Sequence, residues 1–332
     1  MWLGIAISVI CLAIVFIIVK PADILKAISQ ANPWLLLITM ITLVIYLFIR
    51  AIRWRFMLVG GWSNQRSLPY WTVFHIQNIG YMLSNILPFR LGDVIRAILI
   101  GNVPPVTISQ GFSTMVAERV FDLLFMVVLF PLALAMTTDV PTEIEAAVRF
   151  AGLLALIALI ILILAANSRQ RSMQVAESML KRISFLNSEN WTRRLDDLLL
   201  GLKTLTSWKD GFTLLILSIL VWIPIFAGYY TAMLAVNLDV TLWESIFVVC
   251  IAAFSYTAPS SPGQLGVFEA AVTFALAGLL DKPDDLAASF AFVTHAINYL
   301  VIGILGVIGI FGIGSTFSNV IDTTRSLIRS RS

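Results

Sequence analysis

The chain reads as an all-α, polytopic membrane helix bundle with about six spanning helices and two re-entrant, interrupted hairpins arranged as an inverted repeat. Three observations predict this. Hydrophobic residues fill 59% of 332 positions against 12% charged, and mean hydropathy is +0.93, which excludes an ordinary soluble globule. Many apolar runs approach the roughly 20 residues a helix needs to cross a bilayer, with no ten-residue alternation of an outer-membrane barrel. A Pro-x-x-Leu-Gly pentad interrupts two apolar stretches, as Pro88-Phe89-Arg90-Leu91-Gly92 and Pro262-Gly263-Gln264-Leu265-Gly266. Paired interruptions of this kind mark the two halves of many transport folds.

Taken in order, spanning helices are predicted at residues 2–19, 34–49, 112–136, 149–166, 212–236 and 286–314. The first is apolar and lacks both a basic lead-in and a small-x-small cleavage site, so it is read as a membrane helix rather than a signal peptide. Basic residues set the orientation. Arg50, Arg53, Arg55 and Arg66 crowd one short connection, and residues 167–210 hold eight Lys and Arg from Arg169 to Lys209. Both stretches and the C-terminal tail, with Arg325, Arg329 and Arg331, are expected to be cytoplasmic. The loops near Asp139 and near Asp281 are poor in Lys and Arg and are expected outside. Lys20 and Lys26 run against this orientation, and the stronger Arg cluster decides. Residues 70–111 then begin and end inside, and residues 243–280 begin and end outside, so each forms a hairpin entering from an opposite face. Residues 34–136 make a first unit with hairpin 70–111, and 212–314 an inverted counterpart with hairpin 243–280, within one membrane domain spanning 1–332.

The loop at 167–210 carries Met173, Ala176, Met179, Leu180 and Ile183 at helical spacing, and again Trp191, Leu195, Leu198, Leu199, Leu202 and Leu205. Amphipathic helices resting on anionic lipid, or capping the bundle, both fit this pattern. Gly303, Gly306, Gly309 and Gly312 recur every third residue of the last helix and permit close approach of a neighbour.

Candidate chemistry gathers at the two interruptions. After Pro88 and Pro262 a new helix starts, presenting a partly positive amino end inside the membrane. Asn85, Arg90, Asp93 and Arg96 surround the first break, and Ser260, Ser261, Gln264 and Glu269 the second. Gly92, Gly263 and Gly266 complete the break motifs. Glu118, Arg119 and Asp122 enter helix 112–136, with the two acids on one face by i, i+4 spacing. Charges at that depth face protein or water rather than lipid tails. They fit a headgroup site or a structural ion network with Arg96 or Arg90. Glu269, the lone acid of its hairpin, fits a proton-carrying role or a partner for an Arg of the first hairpin. The matching His75/Asn78 and His295/Asn298 spacings fit ordinary interhelical hydrogen bonds, and Arg50, Arg53 and Arg55 with Trp54 fit a topology anchor at the interface.

Several classes are argued down. No Gly-x-x-x-x-Gly-Lys-Ser/Thr loop supplies ATP binding, no Gly-x-Ser-x-Gly elbow is present, and no soluble basic module offers nucleic-acid binding. Two separated histidines and the lone Cys11 and Cys250 give no metal or disulfide framework. No cofactor is expected, no residue is assigned a catalytic role, and a membrane-embedded transferase stays open.

The ordered motifs Arg53-Trp54, Asn85-Ile86-Leu87-Pro88-Phe89-Arg90-Leu91-Gly92-Asp93-Val94-Ile95-Arg96, Glu118-Arg119-Val120-Phe121-Asp122 and Pro262-Gly263-Gln264-Leu265-Gly266-Val267-Phe268-Glu269 make the chain resemble the lysylphosphatidylglycerol synthase transmembrane, or flippase-like, family. Gly92-Asp93 stands where many relatives look to have Gly-Glu, which keeps the charge on a shorter side chain. The resemblance implies a multispanning lipid-handling protein of the cytoplasmic (inner) membrane. Its partners would be membrane lipid, phospholipid or polyprenyl-phosphate-linked, and a lipid-modifying enzyme. The leading expectation is a lipid translocator. A membrane subunit presenting a lipid-phosphate carrier for glycosyl or aminoacyl transfer, and a transporter of a soluble anion, are the alternatives.

Overall fold

The computed structural model describes residues 2–61, 67–87, 90–137, 150, 152–154, 157, 208–256 and 261–314. Ten α-helices have both ends among the described residues: α1 Trp2–Ile18, α2 Pro21–Ser29, α3 Pro33–Val59, α4 Tyr70–Ile86, α5 Leu91–Gly101, α6 Ile108–Ala135, α7 Trp208–Ala235, α8 Leu242–Ser255, α9 Val267–Thr273 and α10 Asp284–Gly312. A π-helical turn, Phe274–Leu279, continues α9. The described residues contain no strand, so the all-α bundle stands as read. Four stretches are long and apolar enough to cross a membrane, namely α3, α7, α10 and Pro262–Leu279, and the bent pair α1 and α2 makes a fifth. The span expected at 149–166 lies largely outside the described residues, as do the loop at 167–210 and the tail.

Local chemistry fixes the boundaries. α3 begins where the Asn32 side chain accepts from the Trp34 and Leu35 amides and Pro33 occupies the first turn, and it ends at Gly60. It therefore runs ten residues past the predicted end at 49, carrying Arg50, Arg53 and Trp54 into the protein interior. α2 was not anticipated; Pro21 starts it, at 78° to α1. α8 opens with a capping box between Thr241 and Glu244. Lys282 then binds Glu244 at 2.8 Å and the Asp239 carbonyl at 2.7 Å, which ties the two feet of the second hairpin together.

The first interruption differs from the Pro-x-x-Leu-Gly reading in one respect. Gly92 is the second residue of α5, and Arg90 takes the left-handed conformation, at φ 51°. A side chain on Gly92 would collide with the Gly80 carbonyl, so this glycine serves the close packing of α4 on α5. At the second interruption Gly263 and Gly266 do bend the chain, at φ 67° and 91°. Pro88 lies outside the described residues.

Around the bundle the same neighbours recur. α3 packs along α7; α4 packs on α10, as α8 does on α6; α3 contacts α4, as α7 contacts α8; α5 contacts α6, as α9 contacts α10. The apolar core runs through these contacts from Leu43 and Leu47 to Phe247, Phe268 and Phe290. Small residues set the closest approaches. Gly306 abuts Met82, Gly309 abuts the His75 carbonyl and Gly312 abuts the His75 ring, whereas Gly303 faces open space.

Gly309→Val should drive α10 off α4, because its new side chain would meet a backbone carbonyl 2.8 Å from the Cβ position. We expect a loss of about 1–3 kcal/mol, read as a lower thermal midpoint in detergent. Gly303→Ala should leave the midpoint unchanged or raise it.

Candidate functional site

Five charged side chains from three helices meet in the interior. Arg50 and Arg53 come from α3, Arg96 from α5, and Glu118 and Asp122 from α6. Arg50 donates through Nε to Glu118 Oε1 at 2.7 Å and through Nη2 to Asp122 Oδ2 at 2.9 Å. Arg53 reaches Glu118 at 3.3 Å, and its Nη1 stands 2.8 Å from Asp122 Oδ1, paired by charge without hydrogen-bond alignment. Arg96 donates to the other Glu118 oxygen at 3.2 Å while its guanidinium lies 3.6 Å over the Trp54 ring. Arg50 also donates to the Tyr46 hydroxyl, and Arg96 to that of Tyr81 at 3.3 Å. Glu118 and Arg53 are each only 1% exposed.

Three guanidinium groups thus face two carboxylates, leaving one positive charge in surplus. Burying an ion costs several kcal/mol, which the direct pairs offset only when hydrogen bonds are complete. Here they are not, because the Nε atoms of Arg53 and Arg96 have no partner. Arg119 and Asp93 form an outer pair at 3.4 Å, with the Arg119 side chain 48% exposed.

The helical register explains why these groups converge. Arg50 and Arg53 share one face of α3 by i, i+3, and Glu118 and Asp122 share one face of α6 by i, i+4. Reading Arg50 and Arg53 as interfacial anchors missed this; the matched spacing on two neighbouring apolar helices was the signal available. Of the candidate arginines, Arg96 joins Glu118, whereas Arg90 instead donates to the Tyr256 carbonyl at 2.8 Å and lies over the Tyr256 ring.

A second cluster forms at the other interruption. Glu269 is fully buried; its Oε2 accepts from the Gly266 amide at 2.6 Å and its Oε1 lies 2.5 Å from His295 Nδ1. The opposite ring nitrogen, Nε2, lies 3.0 Å from the Gly263 carbonyl. Glu269 is accordingly paired with a histidine of the last helix, not with an arginine of the first hairpin. Gln264 donates to the Tyr256 carbonyl at 3.4 Å, and Ser261 donates its amide to Ser8 of α1. Ser260 lies outside the described residues.

The two interruptions touch. α4 packs on residues 262–264, the Asn85 carbonyl lies against Gly263, and Arg90 reaches across to Tyr256. Beside this junction a cavity opens between α3, α7, α9 and α10, lined by Thr39, Thr42, Tyr229, Tyr256, His295 and Asn298 among others. Its Thr294 hydroxyl is buried without a partner. Among the described residues no three His, Cys, Asp or Glu side chains converge as a metal would require.

Glu118→Gln should destabilise the protein far more than Asp122→Asn. It removes the anion that all three arginines share and leaves two or more buried cations under-paired, a change of about 3–5 kcal/mol. Denaturant unfolding followed by tryptophan fluorescence would order the two variants.

Comparison with known proteins places this arrangement in a family. A UPF0104 membrane protein of Methanothermobacter thermautotrophicus is 25% identical, over 91% of this chain and 90% of its own. UPF0104 membrane protein MJ1078 of Methanocaldococcus jannaschii is 28% identical over 68% of this chain and 91% of its own. Glycosyltransferase AglD of Haloferax volcanii is 25% identical over 97% of this chain, which spans 55% of that protein. No solved structure matches. The profile of the lysylphosphatidylglycerol synthase TM region matches residues 1–306, so the chain belongs to that family of multi-pass integral membrane proteins.

Proposed function

We propose that the protein translocates a lipid with a phosphate-bearing headgroup across the cytoplasmic membrane, the headgroup crossing by the polar junction of the two hairpins while the acyl chains trail in the bilayer. The surplus positive charge of the buried cluster carries this reading. A phosphodiester bears one negative charge, which equals the surplus, and presents oxygens that an arginine meets with parallel bonds. Arg96, with its Nε unpartnered, is the contact offered to the phosphate, and the exposed Arg119 and the cross-hairpin Arg90 are the outer ones. An unaccompanied ionic headgroup in hydrocarbon faces an idealised penalty on the order of 20 kcal/mol, and a polar path between helices removes most of it.

The matched packing of α3 through α6 with α7 through α10 supports two units of one plan. On the proposed orientation they are inverted, the Arg-rich faces are cytoplasmic, and the junction alternates its access as the units rock. The named relative AglD favours a second reading, in which the same cluster presents a lipid-phosphate carrier to a transferase.

The experiment reconstitutes the purified protein in liposomes and follows headgroup-labelled anionic phospholipid and polyprenyl phosphate by their access to an impermeant quencher. Faster crossing than in protein-free vesicles is expected. Arg96→Ala should cut the rate by about tenfold or more, the worth of one charge-assisted contact. It should keep the fold, since two arginines then face two acids. No acceleration for either lipid would sink translocation, and equal rates in the variant would sink the role of Arg96.

A further inference from the structure

We propose that Glu269 and His295 form a proton-binding site whose occupancy fastens the tip of the second hairpin to the first. The argument rests on which atoms can donate. The Gly263 carbonyl only accepts, so the 3.0 Å contact with His295 Nε2 requires a hydrogen on Nε2. The Gly266 amide only donates, and it occupies Glu269 Oε2. The 2.5 Å contact between Glu269 Oε1 and His295 Nδ1 then needs a hydrogen of its own. Either the imidazole carries both hydrogens beside a carboxylate, or a neutral imidazole accepts from a protonated carboxyl. In both forms the pair holds one proton more than a carboxylate and a neutral histidine, and its net charge is zero.

Loss of that proton breaks the geometry. The remaining ring hydrogen goes to Nδ1, facing the carboxylate, and Nε2 then turns a lone pair toward the Gly263 oxygen. Two acceptors at 3.0 Å repel, so the Gly263 turn lifts off α10. This turn is the part of the second hairpin that meets the first: a side-chain atom added at Gly263 would collide with the Tyr299 hydroxyl and lie 2.9 Å from the Asn85 carbonyl. Proton uptake from water thus joins the tips, and proton release parts them.

Tyrosines and threonines line the space around the pair. α10 supplies Tyr299, its ring 5.0 Å from that of His295. Tyr256, the residue that caps α8, is stacked at an angle on Phe268 beneath Arg90. α7 supplies Tyr229 and α3 two threonines across the cavity that His295 lines. α1 bears Cys11 and no charged residue. Of the other titratable groups on the helices packed around this pair, Tyr46 and Tyr81 bind Arg50 and Arg96, Arg50 and Arg53 bind the buried acids, and Glu244 binds Lys282, while His75 lies beside Gly312 at the C-terminal end of α10, away from this pair. Asp23 and Lys26 of α2 make no ion pair with either partner among the described residues. Energising transport by this proton rests on the translocation reading above; the proton site itself does not.

The test places spin labels at Ile86→Cys and Leu265→Cys, both exposed near the two tips, in a protein with Cys11→Ser and Cys250→Ala, reconstituted in phosphatidylcholine nanodiscs. Pulsed electron resonance reads the distance at about pH 5 and about pH 9, on either side of the ordinary histidine range. The unsubstituted pair should show a short-distance population at the lower pH and lose most of it at the higher. Glu269→Gln should keep the short distance at both, because a glutamine amide donates to Nδ1 and accepts from Gly266 as the protonated acid does. His295→Phe should lose it at both, and Glu269→Gln decides the matter if that variant fails to fold. A distance insensitive to pH, or a pH response retained by Glu269→Gln, would overturn the proposal even where lipid crosses in liposomes. Because the readout needs no cargo, failure of lipid crossing leaves it standing.

Discussion

Glu118 is the constraint on which the first half of the molecule depends. One carboxylate, 1% exposed, receives Arg50, Arg53 and Arg96, and so joins α3, α5 and α6 at a single point. In a membrane, packing of apolar helices gains little from the hydrophobic effect because lipid tails are equally apolar. A directional, charge-bearing contact therefore specifies which helices meet and at what register more sharply than leucine against leucine does. The arginines also fix where aromatic residues go, since Trp54 and Tyr81 pack beneath Arg96 and Tyr46 beside Arg50.

The same cluster is an uneasy core, and that unease is what connects structure to function. A cluster built only for stability would balance its charges and complete its hydrogen bonds. Here three cations meet two anions, and two guanidinium Nε atoms stay unpartnered. On the translocation reading the cost is tolerable because the cargo supplies the missing anion during each cycle. On the proposed reading the empty site is attractive because it is incomplete, and the loaded site is released because Glu118 already holds each arginine.

Much of the architecture was legible in the sequence because Pro and Gly punctuate apolar runs in a way that bilayer physics leaves few ways to satisfy. The paired helices at the two interruptions and the long helices α7 and α10 followed from that, whereas Arg96 and Arg90 were equal candidates for the acids of α6 and Arg96 is the one that meets Glu118. The extent of α3 did not follow. Arg50 and Arg53 have the composition of an interfacial anchor, and only the facing acids of α6, more than sixty positions away, show them to be buried. The partner of Glu269 was hidden for the same reason. A lone acid in an apolar run names no partner, and His295 reaches it only because α9 starts directly beside α10, with Gly266 exposing its amide to the same carboxylate. The kink between α1 and α2 lay in plain sight at Pro21, yet a proline just beyond an apolar run reads equally as a loop.

Placed side by side, the two units join the same pair of elements with different groups. In each, the second leg of the hairpin pairs with the long helix that follows it: Arg96 of α5 with Glu118 of α6, and Glu269 of α9 with His295 of α10. The first pairing contains an arginine, which keeps its charge at any physiological pH, and it is braced by two further arginines, so it does not open. The second has a histidine on the long helix and its acid on the leg, and backbone groups of the glycine-rich turn hold both partners. On the two readings proposed above, this difference makes one half a fixed binding element and the other a proton-responsive one. On the translocation reading the asymmetry lets one proton change the contacts of the second hairpin while the permanent charges of the first stay as they are.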